Sequence, residues 1–357
     1  MAEHFHALKV AEVVAETDEA NSIRFDVPSE LASAFAFKAG QHLTLRATIG
    51  NEEVRRNYSL CVAPDAGELR VTVKRIAGGV FSNWVGDSLK AGDRLDVMPP
   101  HGSFTFPFEA GAKRRYVAFA GGSGITPVMS LIRTALSIEA ASRFTLFYGN
   151  RDSNSVIFLD ALADLKDRYM GRFELYHFLS DEEGEVGLFN GMLDQQTCVA
   201  AVAALVDQPQ NVDGWFICGP GPMMDAAEAA LGEQGVAHDR IHIERFAAGR
   251  PPAAMVAAMA QAQAEAAGLT IGVTLDGRTR RIEFDGTNIL NSARAAGLPA
   301  PFACKAGVCA TCRARVVSGK VEMAARYGLS DDEIAAGYVL TCQSVPVGEG
   351  VAVDYDA

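Results

Sequence analysis

Four cysteines crowd the last sixth of the 357-residue chain, at Cys304, Cys309, Cys312 and Cys342. Four and two residues separate the first three, and the fourth follows after 29 more. Thiolates at this spacing are typical of plant-type [2Fe–2S] sites. The alternative is a structural zinc site, which usually pairs two C-x-x-C sequences, whereas here Cys342 stands alone in a predicted strand, Tyr338–Ser344. The spacing therefore predicts that these four cysteines bind a [2Fe–2S] cluster.

The residues around these cysteines are small or compact: Ala303, Ala306, Gly307, Val308, Ala310 and Thr311. Such side chains permit a tight loop whose backbone N–H groups point at the sulfurs and tune the reduction potential. The other cysteines, Cys61, Cys198 and Cys218, are scattered along the chain. With no export signal visible, a disulfide framework is not expected.

Three short stretches in the first third of the chain carry residues suited to a phosphorylated ring compound: Arg56–Ser59, Thr72–Lys74 and Gly78–Ser82. Arg56 can neutralise a pyrophosphate, Tyr58 can stack on a flavin ring, and Ser59 can hydrogen-bond to that ring. A turn at Val80–Ser82 offers backbone N–H donors to phosphate. For so short a pattern the alternative is an ordinary barrel strand.

The glycine-rich segment Gly121–Pro127 follows a predicted buried strand, Tyr116–Ala120, and opens a predicted helix, Pro127–Leu136. Glycines let the backbone approach a pyrophosphate whose charge lies at a helix N-terminus. Pro127 suits the first helical turn because its missing N–H costs nothing there. The segment differs from the G-x-G-x-x-G fingerprint, since Pro127 takes the place of the third glycine.

Together these motifs resemble the ferredoxin–NADP reductase family, in which R-x-Y-S, a later V-K and a G-x-x-S turn bind FAD. The resemblance implies FAD-binding residues at Arg56, Tyr58, Ser59, Thr72, Val73, Lys74, Val80, Phe81 and Ser82. The G-G-x-G-I-T-P and C-G-P motifs of the family imply nucleotide-binding residues at Gly121, Gly122, Gly124, Thr126, Pro127, Cys218, Gly219 and Pro220.

The resemblance also implies where hydride transfer occurs. In the family the C-G-P segment lies beside nicotinamide C4 and flavin N5, so Cys218, Ser59 and Glu244 are the candidate catalytic residues. Phe246 resembles the aromatic residue that shields the flavin face. The alternatives are an inert buried cysteine at Cys218 and a core position for Phe246.

The choice between NADPH and NADH depends on the residues that follow two predicted strands. An arginine can accommodate the 2′-phosphate of NADPH, whereas an acid suits the free ribose hydroxyl. Arg151 therefore favours NADPH, while the adjacent Asp152 argues against it. Ser180 is a further predicted contact, followed by Asp181 where relatives often have arginine. We expect NADPH, with NADH as the alternative.

The chain is expected to form three domains. Short alternating stretches with frequent turns predict an antiparallel β-barrel FAD domain over residues 1–110. Alternating strands and helices predict a doubly wound α/β nucleotide domain over 111–246. An Ala/Pro-rich stretch, 247–267, is expected to be a partly helical linker or a helix packed on one neighbour. An Asp-Gly hairpin opens a ferredoxin domain of the α+β (β-grasp) class over 268–357.

Composition excludes several other classes of protein. The 32 basic and 44 acidic residues give a net charge of −12 without a long basic cluster, which argues against nucleic-acid or anionic-membrane binding. No stretch approaches the roughly 18–20 apolar residues of a membrane span. A cytoplasmic protein is expected.

The order of FAD, nucleotide and ferredoxin modules resembles the reductase components of multicomponent oxygenases, and the implied electron route is NADPH to FAD to [2Fe–2S] to the oxygenase. Other phrases, among them Gly40–Arg46 and His242–Phe246, resemble the reductases that serve the diiron phenylacetyl-CoA epoxidase of aerobic phenylacetate breakdown. The alternatives are the reductase of a steroid or aromatic-ring hydroxylase, and a non-catalytic electron carrier that has lost flavin.

Overall fold

The computed structural model describes residues 5–246 and 253–357. Three sheets follow one another along the chain, and no strand pairing joins one sheet to another within that part. No helix in the described ranges has both the length and the apolar character needed to cross a bilayer.

The first sheet is antiparallel and has six strands in the order β4-β3-β6-β1-β2-β5. Its strands are β1 (His6–Thr17), β2 (Ala20–Asp26), β3 (His42–Ile49), β4 (Glu52–Ser59), β5 (Leu69–Lys74) and β6 (Arg94–Val97), with helix α1 (Val80–Ser88) after β5. A bridge between Leu60 and Val71 joins the end of β4 to β5 and closes the sheet into a barrel. The predicted turn at Val80–Ser82 is the first turn of α1.

The second sheet is parallel, with the order β11-β10-β7-β8-β9. Its elements are β7 (Arg115–Gly121), α2 (Ile125–Ile138), β8 (Arg143–Asn150), α3 (Leu159–Arg168), β9 (Phe173–Leu179), α4 (Gln195–Leu205), β10 (Gly214–Cys218), α5 (Gly221–Glu233) and β11 (Ile241–Glu244). The strand order reverses between β7 and β10, and doubly wound sheets bind ligands at the carboxyl ends of strands at such a switch point.

The third sheet is mixed and has the order β13-β12-β16-β14-β15. It contains β12 (Thr270–Leu275), β13 (Arg278–Glu283), β14 (Arg313–Met323), β15 (Tyr338–Leu340) and β16 (Ser344–Asp354), with helices α6 (Ala253–Ala266), α7 (Ile289–Ala295) and α8 (Asp331–Ala335). Asp276 and Gly277 both have positive φ, as the predicted Asp-Gly hairpin requires.

One local expectation differs from the structure, and for the Ala-rich segment the structure agrees with one of the two alternatives left open, a helix packed on one neighbour. Cys342 does not lie in a strand but in a short 3₁₀ turn, Thr341–Gln343, which separates β15 from β16. The Ala-rich segment forms α6, and Met259, Ala262 and Ala266 pack against the core of the third sheet. The second half of this segment is therefore part of the C-terminal domain, because its apolar face is covered there. Residues 247–252 of the expected linker lie outside the described part of the chain.

Candidate functional site

A cavity of about 400 Å³ opens where β4, β5 and α1 meet. Most of the predicted FAD-binding residues line it, namely Arg56, Tyr58, Ser59, Thr72, Lys74, Val80, Phe81 and Ser82. Phe246 lines it as well, together with Ser123 and Thr126 from the glycine-rich turn of the second domain. The fold therefore brings the two groups of motifs, more than 40 residues apart in sequence, to a single cavity.

Two features of this cavity suit a flat ring with polar edges. The rings of Tyr58 and Phe81 lie 5.7 Å apart and provide an aromatic wall. The hydroxyl oxygen of Ser59 is buried and has no hydrogen-bond partner among the described residues. A buried polar atom without a partner is costly, and the polar edge of a flavin would satisfy it. These residues therefore fit FAD.

Among the predicted FAD-binding residues, Val73 does not line this cavity. It is fully buried in the apolar core of the barrel. Its neighbours Thr72 and Lys74 line the cavity. Because successive residues of a strand face opposite ways, the side chain of Val73 points away from the cavity.

The glycine-rich turn and the C-G-P segment meet at the switch point of the parallel sheet. Ala120 and Cys218 are register partners in β7 and β10, so both strands end at the same edge. A Cβ atom on Gly124 would lie 2.0 Å from the carbonyl oxygen of Cys218, and one on Gly219 would lie 2.9 Å from the backbone nitrogen of Gly121. Glycine is therefore required at both positions for the two segments to approach each other.

Pro127 lies in the first turn of α2, as its predicted role requires, and the glycine-rich turn forms a 3₁₀ turn just before it. The hydroxyl of Thr126 donates a 3.0 Å hydrogen bond to the carbonyl of Ser123, which fixes the turn. Gly122 has φ of +50°, in the left-handed region that favours glycine. The backbone at the start of α2 thus has the form expected of a pyrophosphate site.

Cys218 and Glu244 lie side by side at the ends of β10 and β11, where they are register partners. Burial raises the pKa of the Cys218 thiol well above its usual value, and the Glu244 charge acts in the same direction. Burial also raises the pKa of the Glu244 carboxyl to about 8. The Cys218 side chain is fully buried, whereas Glu244 lines a second cavity together with Ser59.

Arg151 and Ser180 come together at the ends of β8 and β9. The Ser180 N–H donates to the carbonyl of Asn150, and the Asp181 N–H donates to that of Arg151. The Asp152 carboxylate accepts a hydrogen bond from the Ser155 N–H and so caps the turn that follows. The presence of an acid at position 152, which argued against NADPH, is therefore explained by its capping of this turn.

The four cysteines fall into two neighbouring pairs, Cys304 with Cys309 and Cys312 with Cys342. Within each pair the neighbouring thiol lowers the pKa of one member, Cys309 in the first pair and Cys342 in the second. A [2Fe–2S] cluster takes two protein ligands on each iron, and it binds them as thiolates. The arrangement fits such a cluster.

The backbone of the loop also matches that chemistry. The Ala306 N–H lies 3.3 Å from the sulfur of Cys304, and the Cys304 N–H lies 3.5 Å from the sulfur of Cys309. A Cβ on Gly307 would lie 2.9 Å from the side chains of Ala325 and Gln343. The small residues of this loop therefore allow its N–H groups to approach the sulfurs while Ala325 and Gln343 pack closely against it.

The cysteine loop faces the flavin cavity. A second cavity of about 240 Å³ is lined on one side by Arg56, Ser59 and Glu244, and on the other by Cys304 and Cys309. The C-terminal domain thus presents its predicted cluster ligands to the residues predicted to hold the flavin. No motif in the sequence indicated this placement.

Two side-chain contacts hold the loop in that position. The Arg55 guanidinium donates a 3.0 Å hydrogen bond to the carbonyl of Phe302 and lies 4.0 Å from the centre of its ring. His101 Nε2 lies 3.0 Å from the Thr311 hydroxyl, within the cysteine loop. These contacts join the first domain directly to the segment that carries the cysteines.

Sequence reasoning missed a buried histidine pair behind this junction. The rings of His42 and His101 lie 4.2 Å apart, and His42 Nδ1 is 3.8 Å from Glu244 Oε1. Burial lowers the pKa of both imidazoles. Isolated histidines in a barrel strand and a loop carry no spacing signal, so only the fold reveals the pair.

Family models match each of the three regions. Residues 7–106 match an oxidoreductase FAD-binding domain, 119–229 an oxidoreductase NAD-binding domain, and 273–347 a 2Fe-2S iron-sulfur cluster binding domain. The phthalate dioxygenase reductase structure aligns over 98% of both chains with a TM-score of 0.59 and 22% identity, which shows a shared fold. The fold and these domains define an NAD(P)H-dependent oxidoreductase.

Relatives that are similar over nearly their whole length define this class of oxidoreductase more closely. The chain is 44% identical over 355 residues to a subunit of the 1,2-phenylacetyl-CoA epoxidase of Escherichia coli (strain K12), covering 99% of this chain and 98% of that protein. It is 38% identical over 365 residues to the 3-ketosteroid-9-alpha-monooxygenase ferredoxin reductase component of Mycobacterium tuberculosis (strain ATCC 25618 / H37Rv), covering 100% and 97%. The chain belongs to the family of flavin and [2Fe–2S] reductases of oxygenase systems. The prediction of family and fold class is confirmed.

Proposed function

We propose that this reductase takes electrons from NADPH and supplies them to a diiron oxygenase that epoxidises phenylacetyl-CoA. The observation that supports this proposal is the position of the cysteine loop beside the flavin cavity, since Cys304 and Cys309 line the same space as Arg56 and Ser59. When bound, FAD accepts an electron pair as hydride and a [2Fe–2S] cluster carries single electrons.

The first domain holds and orients the flavin in this proposal. Arg56 neutralises the pyrophosphate, and the N-terminal turn of α1 at Val80–Ser82 donates N–H groups to it. Tyr58 would stack on the ring, and the Ser59 hydroxyl, which has no partner among the described residues, would bond to its polar edge. The side chain of Val73 lies in the barrel core and would not contact the flavin.

The second domain positions the nucleotide at the switch point. Gly121–Pro127 receives its pyrophosphate at the start of α2, and Arg151 with Ser180 receives the 2′-phosphate of NADPH. Cys218 and Glu244, side by side at the strand ends, border the point of hydride transfer. Phe246 lines both cavities and would cover the flavin there.

In the C-terminal domain, Cys304, Cys309, Cys312 and Cys342 would hold the cluster, which would carry the electrons onward. The contacts from Arg55 and His101 hold this loop toward the flavin side. The loop must leave those contacts to present the same face to an oxygenase. Similarity over the whole chain to the Escherichia coli protein supports phenylacetyl-CoA epoxidase as the partner.

Reconstitution with purified oxygenase components tests the partner. The full-length holoenzyme would be combined with a phenylacetyl-CoA epoxidase oxygenase or with a 3-ketosteroid hydroxylase, and product formed per NADPH oxidised would be measured. We expect coupled turnover with the epoxidase only. Equal or better coupling with the steroid hydroxylase would contradict the proposed partner.

A further inference from the structure

Glu19 contacts two cations, Arg151, which the proposed function assigns to the 2′-phosphate of NADPH, and Lys74, a predicted FAD-binding residue. It lies in the hairpin turn between β1 and β2, and its Oε2 is 3.1 Å from Arg151 Nη2 and 3.7 Å from Lys74 Nζ. Arg151 belongs to the nucleotide domain, whereas Glu19 and Lys74 belong to the barrel. One carboxylate oxygen thus contacts a cation of its own domain, Lys74, and across the domain boundary the Arg151 guanidinium.

Lys74 brings this contact close to the glycine-rich turn, where the nucleotide pyrophosphate is proposed to bind. Its ammonium nitrogen would lie 3.7 Å from a Cβ atom built on Gly122, in the turn before α2, and it also lines the flavin cavity. Through Arg151 and Lys74, Glu19 therefore contacts both the proposed 2′-phosphate site and the neighbourhood of the glycine-rich turn.

Two other carboxylates at this edge are occupied by the backbone, and that of Asp181 accepts a hydrogen bond from the Ser180 hydroxyl. Asp152 accepts a hydrogen bond from the Ser155 N–H, and Glu182 accepts one of 2.8 Å from the Ser153 N–H. Their charges are directed at the turn that follows β8. Glu19 is the carboxylate that reaches the Arg151 guanidinium.

We infer that Glu19 is a specificity-determining residue that weakens the binding of NADPH relative to NADH; this inference rests on the proposed role of Arg151. A phosphate monoester carries about 1.5 to 2 negative charges at pH 7, so the 2′-phosphate must displace Glu19 from Arg151 or bind against its charge. The uncharged 2′-hydroxyl of NADH meets no such competition.

The exposure of the contact sets the size of the effect. About half of each side chain is accessible, 57% for Arg151 and 46% for Glu19. Exposed ion pairs change equilibria by up to about fivefold. Glu19 is therefore a moderate competitor that the 2′-phosphate can displace.

The test compares Glu19→Gln with the wild-type holoenzyme, using ferricyanide as electron acceptor and either NADPH or NADH as donor. Glutamine keeps the shape of the side chain and removes its charge. We expect the KM for NADPH to fall about three- to fivefold and the KM for NADH to change less than twofold. In an Arg151→Ala background the substitution should lose its effect on NADPH.

Asp18→Asn is the matched control, because Asp18 is exposed in the same turn and has the same charge. It should leave both KM values within about 1.5-fold, as expected for a screened charge without direct contact. An equal fall in Asp18→Asn, or an equal change for both nucleotides in Glu19→Gln, would overturn the inference. Persistence of the effect without Arg151 would overturn it as well.

The outcome is separable from the proposed use of NADPH. A wild-type enzyme that prefers NADH would contradict that proposal, yet Glu19→Gln should still lower the KM for NADPH in such an enzyme. Thermal unfolding of each variant, followed by flavin fluorescence, would identify a general structural defect, which would raise rather than lower KM.

Discussion

The two junctions of the FAD domain differ in how they are built. At the junction with the nucleotide domain, one apolar cluster is continuous, with Val62 and Phe104 of the first region packing in the same cluster as Phe216 of the second. Ser130 and Arg133 of α2 also donate hydrogen bonds to the backbone carbonyls of Val62 and Cys61.

The junction with the C-terminal domain has no such shared core among the described residues. The C-terminal domain has its own apolar cluster, and Arg55–Phe302, His101–Thr311 and Arg245–Tyr327 connect it to the rest. Polar and cation–π contacts of this kind can be exchanged for contacts with another protein, whereas a continuous core cannot. From this difference we expect the flavin and nucleotide domains to behave as one unit and the C-terminal domain to dock reversibly.

Loss of a cluster ligand should have the largest effect and should be confined to the docked domain. Cys312→Ser should remove a thiolate from the second cysteine pair, abolish cluster absorbance and reduce cytochrome c reduction to background. NADPH-driven reduction of a two-electron dye should persist. Cys198→Ala, a buried cysteine of the nucleotide domain, should retain full iron content. Normal iron in Cys312→Ser would refute the ligand assignment.

A cavity in the shared core should destabilise the flavin–nucleotide unit alone. Phe104 is 4% exposed and its ring centre lies 6.0 Å from that of Phe216. Phe104→Ala should lower the free energy of unfolding of that unit by about 3–5 kcal/mol, measured by flavin fluorescence in denaturant.

The counterpart is Phe284→Ala in the separate core of the C-terminal domain, which should move the transition seen by cluster absorbance. If both variants moved both transitions equally, the three domains would unfold as one cooperative unit, and the distinction between the junctions would be wrong.

Weakening the docked junction should slow electron transfer without affecting hydride transfer. Arg55→Ala removes the hydrogen bond to the Phe302 carbonyl and the contact with its ring. We expect cluster reduction to slow by about tenfold, since one charged hydrogen bond contributes about 1.5–3 kcal/mol. Stopped-flow absorbance after mixing with NADPH separates flavin from cluster reduction.

Arg46→Ala is the control for that experiment, because Arg46 pairs with Asp96 inside the barrel. It should leave the rate of cluster reduction unchanged. An equal slowing in both variants would indicate a general effect of removing positive charge from the barrel.

The smallest effect is expected at the exposed ion pair between Arg151 and Glu19, which joins the FAD and nucleotide domains. Arg151→Ala should raise the KM for NADPH by up to about tenfold and that for NADH much less, since a charge-assisted contact to phosphate is lost. The free energy of unfolding should change by less than about 1 kcal/mol, because the ion pair with Glu19 is exposed. A marked loss of stability would mean that this pair, and not the shared core, secures the junction.

Local sequence patterns predicted elements well where one residue type has one strong physical role. The helix predicted at Pro127–Leu136 is found as Ile125–Ile138, and the strand predicted at Trp215–Cys218 as Gly214–Cys218. Asp276 and Gly277 were sufficient to predict the hairpin. The turn containing Cys342 was missed, because apolar residues continue on both sides of it and conceal the break between β15 and β16.

The cysteine spacing, the glycine positions and the order of the three domains are determined by the sequence itself, since each depends on residue type within a short segment. The contact of Gly124 with Cys218, and the placement of Cys309 and Ser59 around one cavity, were decided by tertiary structure. So were the histidine pair and the contact between Glu19 and Arg151. These residues lie many positions apart and are brought together by packing within a domain or between domains, and no local pattern of residue types encodes such packing.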